Sequence, residues 1–312
     1  MHTNAVIFEQ PLKLALRQLE LVEPGVGDVT VDVEWSGIST GTERLLWNGQ
    51  MPSFPGMGYP LVPGYEAVGR VVRAGEGADF LPGQRVFVPG ARCFGEVRGL
   101  FGGAASRLVV ADSRAIAIPE SLEQDGILLA LAATAQHAIA ARSAMLPELI
   151  VGHGVLGRLL ARISVAAGGS PVVWERNKAR HVGAVGYSVI DPAEDIHREY
   201  QSIYDVSGDA AQLDILISRL ATGGEIVLAG FYAEPLQFAF PPAFMREARF
   251  RVAAEWQPAD LKAVVELLDT GRLSLQGLIT HHQSAKYAED AYRTAFGDPA
   301  CLKMILDWRN SK

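Results

Sequence analysis

Thiols are scarce: Cys93 and Cys301 are the only cysteines among 312 residues. Two cysteines exclude a disulfide-stapled scaffold and any cysteine-rich zinc cluster, and they fit a reducing cytoplasm, the compartment expected here. Cationic excess is missing as well. Lysine and arginine number 28 against 35 aspartates and glutamates, a net charge of −7, so neither nucleic acid nor an anionic membrane is an expected partner. No apolar run reads as a membrane span; GILLALAATAQHAIAA, the most apolar stretch, is broken by Thr134, Gln136 and His137 and reads as a buried helix. The opening MHTNAVIFEQ has no basic segment followed by an apolar core, so no secretory leader is expected. Repeats and low-complexity tracts are also lacking, and the length suits two domains of ordinary size.

What is present falls into two patterns. From Met1 to about Ile118, runs such as VTVDVEWSGIS, AVGRVVRAG, GQRVFVPG and SRLVVADSRAIAIP alternate short apolar stretches with Gly and Pro, which predicts a strand-rich domain shaped as a distorted barrel. The pattern turns helical from Glu120 to Arg142. Beyond Glu148, ELIVGHG, SPVVWE, YSVID, SIYDVSG, GEIVLAGF and FRVAAEW read as strands. Stretches such as VLGRLLARISVAAGG and AAQLDILISRLATGG read as helices closed by glycine. That alternation predicts an α/β domain with a parallel, doubly wound sheet. The tail, with a helix in ADLKAVVELLDTG and a strand in KMILDW, is expected to return to the first domain. The expected division is therefore 1–125 with 258–312, and 126–257.

GHGVLG, spanning Gly152, His153, Gly154, Val155, Leu156 and Gly157, follows a strand and opens a helix, the context in which G-x-G-x-x-G binds a dinucleotide. Its glycines permit the tight turn, the approach of backbone to pyrophosphate, and close packing of helix on strand, while the helix N-terminus favours the phosphates. The next strand ends in Glu175, placed to accept hydrogen bonds from the adenosine ribose and to repel a 2′-phosphate. NAD is therefore expected over NADP. Arg176, with Lys178 and Arg180 behind it, would serve a 2′-phosphate if the glutamate turned away. His153 is expected either to face the pyrophosphate or to be an exposed loop residue.

SGISTGTE, GYEAVGRV, GGAASRLVV and TAQHA resemble segments of the medium-chain dehydrogenase/reductase superfamily, and the likeness covers nearly the whole chain. It implies a strand-rich GroES-like distorted barrel domain plus a Rossmann domain. In zinc members of that superfamily the catalytic metal is held by a Cys, a His, and a Cys or Glu, at positions that correspond here to Ser39, Tyr65 and Ala130. Where the structural zinc lobe needs four cysteines, PGARCFGEVRGLFGG has only Cys93. The expectation is a metal-free enzyme. Longer runs, SGISTGTERLLWNGQMPSFPGMGYPLVPGYE, LIVGHGVLGRLLAR and FPPAFMREARFRVAAEW among them, resemble the hydroxyethyl bacteriochlorophyllide dehydrogenases of bacteriochlorophyll biosynthesis. This closer likeness implies oxidation of a 3-(1-hydroxyethyl) group to 3-acetyl with NAD as acceptor and a bacteriochlorophyllide-type tetrapyrrole as partner. A homodimer is one candidate assembly, which the sequence itself does not decide.

Without metal, the alcohol proton needs another taker. Tyr65, Ser39, Thr42 and His137 are the candidates, on segments that line the substrate cleft in that superfamily. Two plainer readings stay open: Tyr65 and Ser39 filling the space a metal would occupy, and His137 as a satisfied buried histidine. Glu43 and Glu66 are expected to hold the turn or form ion pairs. Trp47, Met51, Phe54, Met57 and Tyr59, in a loop stiffened by prolines, suit a flat tetrapyrrole, with packing against the protein itself as the alternative. Two other functions stay open as well. One is a zinc-independent NAD(P)H-dependent quinone or enone reductase; the other is a catalytically silent nucleotide-binding scaffold.

Overall fold

Alternation of Val, Ile and Phe with polar residues drives the N-terminal segment into strands, named here in chain order. They are β1 (His2–Gln10), β2 (Lys13–Glu20), β3 (Asp28–Ile38), then helix α1 (Thr42–Asn48), β4 (Leu61–Val62), β5 (Ala67–Ala74), β6 (Arg85–Val88), β7 (Arg98–Gly99), β8 (Arg107–Ala111) and β9 (Ile116–Ala117). The computed structural model describes residues 1–53, 55–140 and 144–311. A 3₁₀ segment, Glu120–Leu128, leads into α2 (Leu129–Ala140), within which the chain passes from one compact unit to the other.

The second unit alternates strand and helix: β10 (Leu149–Val151), α3 (Val155–Ala166), β11 (Val172–Trp174), β12 (Ser188–Ile190), β13 (Tyr200–Asp205), α4 (Leu213–Arg219), β14 (Leu220–Leu228), α5 (Phe240–Met245), β15 (Arg249–Val252) and α6 (Pro258–Asp269). The sheet order is β12-β11-β10-β13-β14-β15, and every pairing is parallel. The order reverses beside β10, so the loop after β10 opens at the switch point where doubly wound sheets bind ligands. Trp174, Ile203, Leu216, Ile217 and Ile226 form part of this unit's core.

The return consists of β16 (His281–Ser284), α7 (Ala288–Gly297) and β17 (Met304–Asp307). In the first unit one sheet runs β2-β1-β4-β7, and the other runs β16-β17-β3-β5-β6-β9 with β8 also paired to β3. β17 lies antiparallel to β3, with Met304 opposite Ile38, which brings the C-terminal residues beside the segment that follows β3.

The compact units are Met1–Ala130 with Leu278–Lys312, and Leu131–Gly277. The return thus begins later than the expected residue 258. Helix α6 stays with the parallel sheet because Asp260 is bonded to His137, and Arg162 of α3 donates to the carbonyls of Ser274 and Gln276 at 2.7 and 3.0 Å. The helix expected across AAQLDILISRLATGG is also shorter. It stops at Arg219, since Leu220 already pairs with Tyr200, and Gly223 has φ +75° inside the strand instead of closing the helix.

Candidate active site

Strand β3 ends at Ile38, and the chain turns through Ser39 into α1, while the Pro-Gly turn before β5 delivers Tyr65. The two side chains meet: Ser39 Oγ and Tyr65 Oη are 2.7 Å apart, and the Thr42 hydroxyl also hydrogen-bonds Tyr65. Ser39 is buried, Tyr65 half-buried, and the Tyr65 ring stands edge-on to Phe101 at 5.4 Å. Burial, reinforced by Glu66 and Glu43, pushes the Tyr65 phenol above its ordinary range, and the hydrogen bonds from Ser39 and Thr42 offset only part of this. A phenolate is therefore disfavoured. Tyr65 can donate or relay a proton as a neutral hydroxyl, but it does not rest as a base.

Beneath this hydroxyl cluster lies a buried ionic layer in which Glu66 and Glu43 find partners that the sequence did not disclose. Lys303 Nζ sits 2.7 and 2.9 Å from the two Glu66 carboxylate oxygens and 3.3 Å from Ile38 O, and both side chains are almost fully buried. Burial pushes the Glu66 carboxyl up and the Lys303 ammonium pulls it back. Gly37 makes the room, because a Cβ there would lie 2.1 Å from Glu66 Oε2. Glu43, in the first turn of α1, accepts from Ser39 N–H at 3.0 Å and from the Tyr292 hydroxyl of α7 at 2.7 Å. Burial raises its pKa to about 8 despite those bonds. Glu43 and Glu66 thus hold the turn, as expected. Lys303 and Tyr292 come from the far end of the chain, and no local motif marks them.

The zinc-ligand positions do not fit a metal. Two of them are hydroxyls bonded to each other and the third, Ala130, has a methyl side chain. Among the described residues, no three His, Cys, Asp or Glu side chains are grouped to hold an ion. Cys93 and Cys301 are buried and form no disulfide, and burial pushes the Cys93 thiol up to about 11.

In the second unit the loop after β10 has the geometry of a dinucleotide cradle. Gly152 has φ +105°, Gly154 opens α3 with no atom within 4 Å of the space a Cβ would take, and a Cβ on Gly157 would lie 1.9 Å from Gly152 O. The start of α3 therefore has open space at Gly154, beside the sheet's switch point. Glu175 follows β11, and its carboxylate accepts from His153 N–H at 3.2 Å and Asn177 N–H at 2.8 Å, which leaves lone pairs for ribose hydroxyls. A nicotinamide dinucleotide fits these residues.

Comparison with known proteins decides the family. The chain is 60% identical over 99% of its length to a 2-desacetyl-2-hydroxyethyl bacteriochlorophyllide A dehydrogenase of Cereibacter sphaeroides, 99% of which is covered. It is 58% identical, over the full length of both chains, to the protein of that name in Rhodobacter capsulatus. The chain belongs to the 2-desacetyl-2-hydroxyethyl bacteriochlorophyllide A dehydrogenase family. Residues 25–120 match the alcohol dehydrogenase GroES-like domain. An Escherichia coli CFT073 alcohol dehydrogenase solved with NADH has the same fold, with a TM-score of 0.83 at 22% identity over 98% of this chain and 99% of that one. The expected α/β class, GroES-like plus Rossmann, and the superfamily stand, and this bacteriochlorophyllide dehydrogenase family member is an alcohol dehydrogenase.

In this family member the expectation for His153 needs correction, while His137 and much of the aromatic loop take the plainer readings left open by the sequence. The His153 ring neither faces a phosphate nor lies exposed; it is fully buried, with both nitrogens bonded inside the unit. His137 Nδ1 is 2.8 Å from Asp260 Oδ2, and that carboxylate also accepts Gln257 N–H to cap α6, so the bond ties α2 to α6. In the aromatic loop, Met51 is buried in the core of the first unit. Trp47 packs edge-on against Phe8, Met57 leans on the same core, and the half-buried Tyr59 donates to Leu46 O. Much of that loop's apolar surface is thus consumed by the protein itself. Phe54 lies outside the described residues.

Proposed function

We propose that the protein oxidises the 3-(1-hydroxyethyl) group of a bacteriochlorophyllide to 3-acetyl, with NAD as acceptor and without metal. Full-length identity near 60% to two enzymes named for that substrate carries the reading. The quinone or enone reductase and the silent scaffold have no comparable support.

NAD, which the Gly152–Gly157 loop and Glu175 would hold, would supply the acceptor for the hydride of the alcohol carbon. The protein's part is to hold the alcohol oxygen and to give its proton a path. The Ser39, Thr42 and Tyr65 hydroxyls form a chain that can take the proton at one end as another leaves at the far end, so no member needs to become a resident anion. The Lys303–Glu66 pair below them fixes the turn that bears Tyr65. Trp47, Met57 and Tyr59, each half-buried, keep exposed edges for the macrocycle. His137 is assigned to structure. Glu175 favours NAD, because its carboxylate accepts ribose hydroxyls and repels a 2′-phosphate.

A homodimer is the proposed assembly. β15 is the edge of the parallel sheet, and Phe240, Phe244, Met245 and Val252 expose 65 to 73% of their surface near it, an apolar face suited to a second copy. Sedimentation at micromolar concentration tests this, and a strict monomer would refute it. The activity is tested by turnover of hydroxyethyl bacteriochlorophyllide with NAD. If catalytic efficiency is higher with NADP, the cofactor assignment is wrong.

A further inference from the structure

His153 stands between the first two glycines of the cradle, yet its ring is buried. Nδ1 is 2.6 Å from Arg180 O, and Nε2 is 2.8 Å from the Tyr187 hydroxyl. A carbonyl only accepts, so Nδ1 carries the proton and Nε2 accepts from Tyr187. Burial, helped by the Arg158 charge, pushes the imidazole down to about 4, which keeps the ring neutral near pH 7. Arg180 O takes a second bond, from Arg158 Nη2 at 3.0 Å, and Arg158 Nε donates to His153 O at 3.2 Å. The Tyr187 ring stands edge-on to the imidazole at 5.6 Å.

The backbone of the same residue reaches the other end of this segment, since His153 N–H donates to Glu175 Oε2. His181 Nε2 donates to Glu175 O at 2.7 Å and Asn177 N–H to Oε1, so the turn folds back on the glutamate. Between the two anchor points lie Arg176 and Lys178, and Arg180 is itself the second anchor. Those are the cations that a 2′-phosphate would recruit, and Arg176 and Lys178 are exposed.

We propose that His153 is a specificity-determining positioning residue: through its buried ring, and without touching the dinucleotide, it pins the 176–180 turn so that the Glu175 carboxylate faces the adenosine ribose in place of a cation. This rests on the NAD reading above. Removal of the ring frees Arg180 O and Tyr187 from their common partner and loosens the turn. Glu175 then loses its fixed direction, and the neighbouring cations gain access to a 2′-phosphate. A residue that only stabilised the fold would weaken both nucleotides alike.

The test is fluorescence titration of the intact protein with NADH and with NADPH, in the absence of pigment, for wild type, His153→Ala, His153→Asn and Tyr187→Phe, each with a thermal melt. His153→Ala is expected to weaken NADH about tenfold and NADPH less than about threefold, so the selectivity ratio falls. His153→Asn, which keeps a donor for Arg180 O, should restore part of the ratio. Tyr187→Phe should shift it in the same direction by a smaller factor with the melt near wild type, and it decides the matter if His153→Ala fails to fold. An unchanged ratio in the folded variants of an NADH-preferring protein, or equal loss of both nucleotides, overturns the role of His153 alone. A wild-type preference for NADPH overturns the NAD reading and this inference with it.

Discussion

Tyr65 stands where the superfamily resemblance places a zinc-ligating histidine, and its surroundings decide what its hydroxyl can do. With the phenol held above its ordinary range by burial and two nearby carboxyls, its use is as a neutral link to Ser39 and Thr42. Tyr65→Phe keeps the ring against Phe101 and is expected to lower kcat by about 10²–10⁴ with little change in substrate affinity. A loss within about tenfold at every pH would reduce the hydroxyl to a space-filling role. Glu43 gives a pH signature of its own. Its folded pKa of about 8 lies above its ordinary 4.5, so the stabilisation tied to the protonated carboxyl is complete below that lower value and is lost as pH rises from about 4.5 to about 8. The groups facing it are Tyr292, Ser39, Glu66 and Lys303. Glu43→Gln should remove this slope: from about pH 5 to about pH 8.5 the wild type should lose about 2–4 kcal/mol relative to the variant in urea unfolding. Parallel stability curves would refute the assignment.

Each unit has an element of its own to test, the glycine loop with α3 in the second and the β3–β5–β17 arrangement below Tyr65 in the first. Gly157→Ala places a methyl group on Gly152 O and is expected to abolish measurable NADH binding while the first unit stays folded, as read by nucleotide fluorescence and circular dichroism. Lys303 joins the start of β17 to the mouth of β5 through Glu66. Lys303→Met leaves a buried carboxylate without its cation and should cost about 3–5 kcal/mol, less if Glu66 takes up a proton. The double variant Lys303→Met with Glu66→Gln should recover much of that loss in chemical denaturation. The strands of the parallel sheet were legible because each is a short apolar run bounded by glycine or charge. The end of α4 was not, since only the pairing of Leu220 with Tyr200 stops that helix. Lys303 and Tyr292 were illegible for a related reason: they reach Glu66 and Glu43 across 237 and 249 residues, and only the antiparallel docking of β17 on β3 and the packing of α7 bring them there. The glycine cradle and Ser39, Thr42 and Tyr65 could be read because each lies within a contiguous motif. His153 was misread because its ring turns into the unit toward Tyr187, a contact that no spacing within GHGVLG encodes.

On the scale of the whole molecule, the chain keeps the architecture of the alcohol dehydrogenases, while hydroxyls and a methyl group stand at Ser39, Tyr65 and Ala130, the positions that the superfamily resemblance assigns to a catalytic zinc. Oxidation of a hydroxyethyl group to a ketone in conjugation with the macrocycle shifts the pigment's long-wavelength band to the red. The most direct measurement is the absorption spectrum of hydroxyethyl bacteriochlorophyllide incubated with chelator-treated protein and NAD. The account predicts a red-shifted acetyl pigment formed together with one NADH per molecule converted, at a rate that added zinc leaves unchanged. A pigment spectrum that stays fixed, or one that shifts only after zinc is restored, would contradict it.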